Sequence, residues 1–150
     1  MTRNLVFYLA LVLCLGLNTA CESNEQSTPE SNKIRPEPPA EYSSLINPHE
    51  GKPEAESSGR EIFRIHCVMC HGENGAGDGP VASSLKPKPV SFAADQDKLS
   101  DAYLYWRISE GGLMKPFSSA MPSWKSILSE EEIWQMISYL RTLEESGNSS

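Results

Sequence analysis

The sequence has little positive charge, few cysteines and no apolar run long enough to span a membrane. Its 150 residues include 13 Lys and Arg against 20 Asp and Glu. The resulting net charge of −7 disfavours nucleic-acid binding, which needs a basic surface. The four cysteines occur as two separate pairs, which argues against a disulfide-framed miniprotein. The longest apolar run, Leu5–Leu17, is shorter than the ~20 residues of a membrane helix.

The N-terminal segment, residues 1–20, is typical of an export signal. Arg3 precedes the short apolar run, and small residues follow it. Alanine directly before Cys21 resembles the end of a bacterial lipoprotein signal, although Asn18 stands where that family prefers leucine. The resemblance implies that Cys21 is acylated and anchors the protein to a membrane, facing the periplasm in the bacterial cell envelope. Ordinary cleavage, which leaves Cys21 as a free thiol, and an uncleaved anchor are the alternatives.

A change in composition divides the rest of the chain. Residues 21–53 are rich in Ser, Glu, Asn and Pro, which predicts the acylated cysteine followed by a flexible tether. The later part of this stretch, residues 42–48, can lie on the surface of the domain. Residues 54–145 carry the helical patterns and form the predicted domain, and residues 146–150 form a frayed tail.

Three helical segments are predicted in the domain. The first begins near Ser57, a residue type that caps helix N-termini. The second follows Ser100 and ends at Gly111, since glycine is a common helix stop. The third begins with a capping box formed by Ser129 and Glu132. Its apolar stripe has helical spacing: Ile133, Met136, Ile137 and Leu140. Loops rich in Gly and Pro separate the helices, so we expect a small all-α domain.

The motif Cys67-Val-Met-Cys70-His71 predicts covalent attachment of one haem c. Each thiol can form a thioether with a haem vinyl group, and the histidine can bind the iron. A dithiol redox motif needs a βαβ setting, and a zinc site needs further cysteines or histidines downstream; the sequence provides neither, so zinc is not expected. Because the remaining core is thin, the chain without haem should be largely unfolded.

From about residue 57 to 143 the chain resembles the monohaem class I cytochromes c, of the bacterial lipoprotein type. The resemblance includes Gly59 and Phe63, the CVMCH motif, the glycine-rich HGENGAGDGP, the segment Met121–Trp124 and the final EEIWQMISYL. It implies three or four helices around one covalently bound haem, with the first and last helices crossing. Gly59 would allow a close crossing because it lacks a Cβ atom, or it would simply begin the helix.

The sixth iron ligand should be a soft donor on the face of the haem opposite His71. His66 lies on the same short helix as the attachment motif, and Met136 lies on the stripe of the last helix. Met114 and Met121 therefore remain, and the resemblance favours Met121 because it occupies the place of the family's ligand. A thioether ligand stabilises ferrous iron and raises the reduction potential.

Three further residues are candidates for the surroundings of the haem. The resemblance implies that the Pro80 carbonyl accepts a hydrogen bond from the His71 ring, which would fix its orientation. Trp124 directly follows the ligand loop and is a candidate for the haem wall. Arg107 is either a partner of a haem propionate or a solvated helix charge.

These features predict an electron carrier rather than an enzyme. We expect a membrane-tethered c-type cytochrome that passes single electrons between membrane or periplasmic redox proteins. A fixed haem c subunit of a larger respiratory oxidoreductase is the alternative. A haem sensor or peroxidase with an open sixth position is a third hypothesis, which requires that the methionine ligand be labile or absent.

Overall fold

The computed structural model describes residues 35–95 and 99–143, and these residues form an all-helical fold. The helices are α1 Ala40–Ser43, α2 Pro53–His66, α3 Val68–His71, α4 Phe92–Asp95, α5 Asp101–Glu110 and α6 Glu130–Leu140, with a 3-10 turn at Ala82–Ser84. No strand occurs in these ranges, so the predicted all-α class is confirmed. The export signal, Cys21 and the C-terminal tail lie outside the described residues. In the part of the chain described here, no helix has the length and apolar character needed to cross a bilayer.

The second and third predicted helices begin and end where their sequence signals place them. The Ser100 side chain accepts a hydrogen bond from the Tyr103 amide at the start of α5, and α5 ends before Gly111. At the start of α6, the Ser129 amide donates to the Glu132 carboxylate over 2.8 Å, and the Glu132 amide donates back to Ser129 Oγ. The predicted capping box is therefore confirmed.

The first predicted helix begins earlier than Ser57. Helix α2 starts at Pro53, because proline lacks an amide hydrogen and suits the first helical position. Glu54 and Glu56 then lie in the first turn, where negative charge is favoured by the helix dipole. Ser57 thus lies inside α2, and its capping potential is not used.

Helices α2 and α6 pack directly against each other at Gly59. A Cβ atom on Gly59 would lie 2.0 Å from the Gln135 carbonyl oxygen and 2.8 Å from Met136 Cα. The Phe63 and Tyr139 rings pack beside this contact with centroids 5.4 Å apart. Of the two roles open to Gly59 in the sequence, the structure shows the close helix approach.

The segment 35–52, called the strap below, packs against α5 and α6. The Asn47 side chain is buried and donates to Ser138 Oγ over 3.0 Å. Ser138 Oγ in turn donates to the His49 carbonyl, and the Tyr42 hydroxyl donates to Glu110. The compact unit therefore begins at Arg35, so the predicted boundary at residue 53 lies within packed chain.

The hydrogen bond from Tyr42 to Glu110 makes the strap's contribution to stability dependent on pH. This bond, aided by desolvation, raises the pKa of Tyr42 to about 12. The folded protein thus retains a proton that an unfolded tyrosine loses near pH 10. The stabilisation of the folded state by this hydrogen bond is therefore complete below pH 10 and is lost as the pH approaches 12. We expect the holoprotein to be more stable than Tyr42→Phe by about 1 kcal/mol at pH 8, and this difference to vanish by about pH 12. Guanidinium unfolding of both proteins across this range measures it; a difference that stays constant would contradict the expectation.

Candidate haem-binding site

The attachment motif lies in a tight turn between α2 and α3. The Cys67 amide donates to the Phe63 carbonyl and ends α2, while the Cys67 carbonyl accepts from the His71 amide and begins α3. No disulfide joins Cys67 and Cys70. Burial, followed by the proximity of Cys70, raises the pKa of Cys67 to about 12.

The glycine-rich loop after His71 closes the end of α3 with main-chain hydrogen bonds. The Gly77 amide donates to the His71 carbonyl over 2.8 Å, and the Gly79 amide donates to the Cys70 carbonyl over 3.2 Å. These bonds satisfy carbonyl groups that a helix end leaves unpaired. A Cβ atom on Gly79 would lie within 2.6 Å of the carbonyl oxygens of Val68 and Met69, so this approach needs glycine.

An apolar cavity lies next to the attachment motif and contains both predicted axial ligands. Nine residues line it: Phe63, Cys67, His71, Phe92, Ile108, Met121, Trp124, Met136 and Leu140. These residues belong to α2, α3, α4, α5, α6, the turn at Cys67 and the loop that carries Met121. The structure therefore brings together four of the candidate site residues, Cys67, His71, Met121 and Trp124.

The His71 ring is partly buried against the apolar wall of the cavity. Its ring stacks on Phe92, with centroids 4.8 Å apart and planes 29° apart. Burial lowers the pKa of His71, and a smaller opposing effect comes from the Val90 backbone. Nδ1 is buried without a full hydrogen bond among the described residues. A neutral imidazole in an apolar wall is the form that binds a metal.

The main-chain group that raises the pKa of the His71 ring is that of Val90, and not that of Pro80. Pro80 is exposed at the end of the glycine-rich loop. The chain then returns beneath the loop, where a Cβ atom on Gly77 would lie 2.5 Å from the Pro89 carbonyl oxygen. This return places Val90 beside His71, a non-local approach that the spacing of prolines in the sequence does not reveal.

Main-chain hydrogen bonds fix the loop that carries Met121 to the end of α5. The Gly112 amide donates to the Met121 carbonyl over 2.8 Å, and the Ser119 amide donates to the Gly112 carbonyl over 2.7 Å. On the other side of Met121, the Trp124 amide donates to the Ile108 carbonyl over 3.1 Å. The backbone thus presents Met121 and Trp124 to the cavity from a defined position.

The other candidate ligands lie elsewhere. Met114 is 40% exposed and does not line the cavity. The His66 ring packs edge-on against Trp124 with centroids 5.2 Å apart, so it supports the cavity wall and is not simply a surface residue of α2. Sequence periodicity could not reveal this contact, because Trp124 lies in a distant loop.

Arg107 lies beside the loop and not in the cavity wall. Its guanidinium stands 3.4 Å from the centroid of the Phe117 ring and donates to the Gly111 carbonyl. Burial lowers the pKa of Arg107, with an opposing effect from Tyr103. The side chain is therefore not a fully solvated helix charge, and its contact with a propionate stays a prediction.

The residues around the cavity fit a c-type haem. Aromatic and aliphatic walls suit a large flat apolar group, two thiols lie at the correct spacing, and His71 keeps a ring nitrogen without a full hydrogen bond. The family model described as Cytochrome C oxidase, cbb3-type, subunit III matches residues 54–140. The chain belongs to this family. The resemblance to monohaem cytochromes c is confirmed, and the family supports an electron carrier that binds haem c.

Similar proteins include both a curated relative and solved structures. The cytochrome c subunit of a quinone alcohol dehydrogenase from Gluconobacter oxydans (strain 621H) is 27% identical over 90 residues, which is 57% of this chain but only 18% of that protein. The Kuenenia stuttgartiensis reducing HAO-like protein complex Kustc0457/Kustc0458 is 27% identical with a TM-score of 0.53, covering 67% of this cytochrome and 46% of the matched chain. The KustC0563 c-type cytochrome is 25% identical with a TM-score of 0.46, covering 57% and 96% of the two chains.

Proposed function

We propose that this cytochrome is a membrane-tethered carrier of single electrons with one covalently bound haem c. Cys67 and Cys70 would hold the haem through thioether bonds, with His71 and Met121 as axial ligands. The haem supplies reversible one-electron exchange between its ferrous and ferric states. The observation that carries the proposal is that His71 and Met121 line the same apolar cavity beside the attachment cysteines.

The composition of the cavity wall favours electron transfer over catalysis. Among the nine lining residues, only His71 and Cys67 are suited to general acid–base chemistry, and they are assigned to the iron and to a thioether bond. A methionine on the opposite side would occupy the position that a substrate or gas molecule needs. Apolar walls also exclude water, which keeps the environment of the iron constant between the two oxidation states.

The proposed location is the bacterial cell envelope, with the domain facing the periplasm. Support comes from the export-type residues 1–20 and from Cys21, which together resemble a lipoprotein signal. A lipid anchor at Cys21 would restrict the domain to redox proteins in or near the same membrane.

A fixed place in a larger oxidoreductase is the second candidate function. It is favoured by the relatives, of which one is a cytochrome c subunit and another belongs to a protein complex. Purification from native membranes in mild detergent separates the two functions. A single-protein species supports the free carrier, whereas a constant co-purifying enzyme supports the subunit.

The assigned iron ligand can be tested by absorption near 695 nm in the oxidised holoprotein, where methionine bound to ferric haem gives a weak band. We expect the band in the parent protein and its loss in Met121→Ala; a band that persists in this variant would assign the ligand to Met136, the other methionine of the cavity wall. Met114→Ala is the matched control, since Met114 is exposed and outside the cavity, and it should keep the band. A parent protein without the band, especially one with a high-spin spectrum, would refute methionine ligation and favour an open sensor or peroxidase site.

A further inference from the structure

Three distant parts of the chain meet at the Glu110 carboxylate. The Tyr42 hydroxyl, from the strap, donates to Glu110 Oε1 over 2.5 Å. Lys125 Nζ, from the loop after Met121, donates to both oxygens of the same carboxylate over 2.8 and 2.9 Å. Glu110 itself is the last residue of α5. One carboxylate thus connects the strap, a helix end and the loop of the proposed iron ligand.

Glu110 occupies a position where a negative charge is unfavourable by itself. The C-terminal end of a helix carries partial negative charge, and a carboxylate there is repelled. Lys125 first, and then Tyr42, lower the pKa of Glu110, so the charge is stabilised by these two partners. The Glu110 side chain is only 23% exposed, which distinguishes the contact from a fully solvated surface ion pair.

Main-chain and side-chain hydrogen bonds also join the segment 123–125 to the end of α5. The Lys125 amide donates to the Ser109 carbonyl over 3.3 Å, and the Ser123 hydroxyl donates to the same carbonyl over 2.6 Å. Trp124 lies between these two anchored residues and lines the cavity. The partner of Glu110 is therefore a residue that directly follows the chain segment carrying Met121 and Trp124.

On the other side, the strap is anchored independently of Glu110. The Tyr42 ring packs 6.2 Å from Tyr105, whose ring lies 4.3 Å from Trp134. Asn47 adds its buried hydrogen bond to Ser138. The Tyr42 hydroxyl is consequently presented to Glu110 by a segment that is already held in place.

We propose that Tyr42, Glu110 and Lys125 are positioning residues through which the strap keeps the Met121 loop closed over the haem cavity. The inference rests on the proposed function, since it assumes that Met121 binds the iron. The strap then acts as a structural part of the redox site, and the segment that leads to the membrane anchor is coupled to the iron ligand.

Binding of imidazole to the oxidised holoprotein tests this coupling, because imidazole must displace the methionine and open its loop. Tyr42→Phe keeps the ring and removes only the hydroxyl; we expect its imidazole association constant to rise about fivefold, which corresponds to the loss of one hydrogen bond. Glu110→Gln should show at least the same increase, since it weakens the contacts to both partners. All measurements are made in conditions where each protein is fully folded, so a general loss of stability would not change the result.

Glu61→Gln is the matched control, because it removes an exposed carboxylate that pairs with Arg64 on α2. It should bind imidazole like the parent. If Tyr42→Phe and Glu110→Gln also bind like the parent while the 695 nm band is present, the coupling is refuted and the ligand assignment stands. If the parent lacks the band and binds imidazole without displacing methionine, the ligand assignment fails and the inference fails with it.

Discussion

Replacement of Gly59 by alanine is expected to lower the free energy of unfolding of the holoprotein by about 2–3 kcal/mol. Alanine normally favours a helix over glycine by about 1 kcal/mol, so propensity alone predicts the opposite sign. The added Cβ atom would lie 2.0 Å from the carbonyl oxygen of Gln135 and 2.6 Å from its carbonyl carbon. These are backbone atoms of α6 and cannot rotate away, so the two helices must separate, and such overpacking typically costs 1–3 kcal/mol or more.

Guanidinium unfolding followed by haem absorbance measures the effect of Gly59→Ala. Ser58→Ala provides the control on the same helix, because Ser58 is exposed and its replacement adds helix propensity without a packing change. Ser58→Ala should therefore be at least as stable as the parent. Equal stability of the two variants would show that α2 and α6 adjust freely, contrary to the close approach described above.

Without covalent haem attachment, the domain is expected to lose most of its structure. In Cys67→Ser/Cys70→Ser the haem cannot be bound through thioethers, and the cavity wall would be left open to water. Burial of one large apolar side chain contributes about 1.5–3 kcal/mol. A haem presents more apolar surface than any single side chain and would form much of the core of a domain this small, so its loss would remove an amount comparable with the 5–15 kcal/mol that stabilises a typical domain.

Far-UV circular dichroism and covalent haem content should be measured together on this double variant. Met69→Ser is the control, since Met69 lies between the two cysteines, is 56% exposed and leaves the attachment motif complete. It should keep both its haem and its helical signal. A double variant with parental helicity and a cooperative unfolding transition would show that the protein core is sufficient without the haem.

The parts of the fold that depend on local chemistry were predictable from the sequence. Ser129 and Glu132 cap α6 through contacts within one turn, and Gly111 ends α5 because glycine is compatible with its positive φ of 72°. The haem motif likewise lies in a single turn of chain. The positions of Cys67 and His71 in the cavity wall follow from that spacing.

The parts that depend on long-range contacts were not predictable. The polar, proline-rich sequence of the strap predicts a flexible tether. In the structure, however, the Asn47 side chain donates a hydrogen bond to Ser138, 91 residues further along the chain. For the same reason, the sequence does not reveal the approach of Val90 to His71 or the packing of His66 on Trp124. A polar residue whose partners come from a distant helix leaves no periodic signal in the sequence.

The main-chain hydrogen bonds around Met121 have a consequence for how this protein could acquire new redox partners. Since backbone groups hold the loop to α5, its outward side chains are free to change without moving the cavity. Leu113 is 77% exposed and Met114 is 40% exposed at the rim of this loop. Substitutions there can alter the surface offered to another protein while the proposed iron site stays unchanged, so the choice of partner and the redox chemistry can evolve separately.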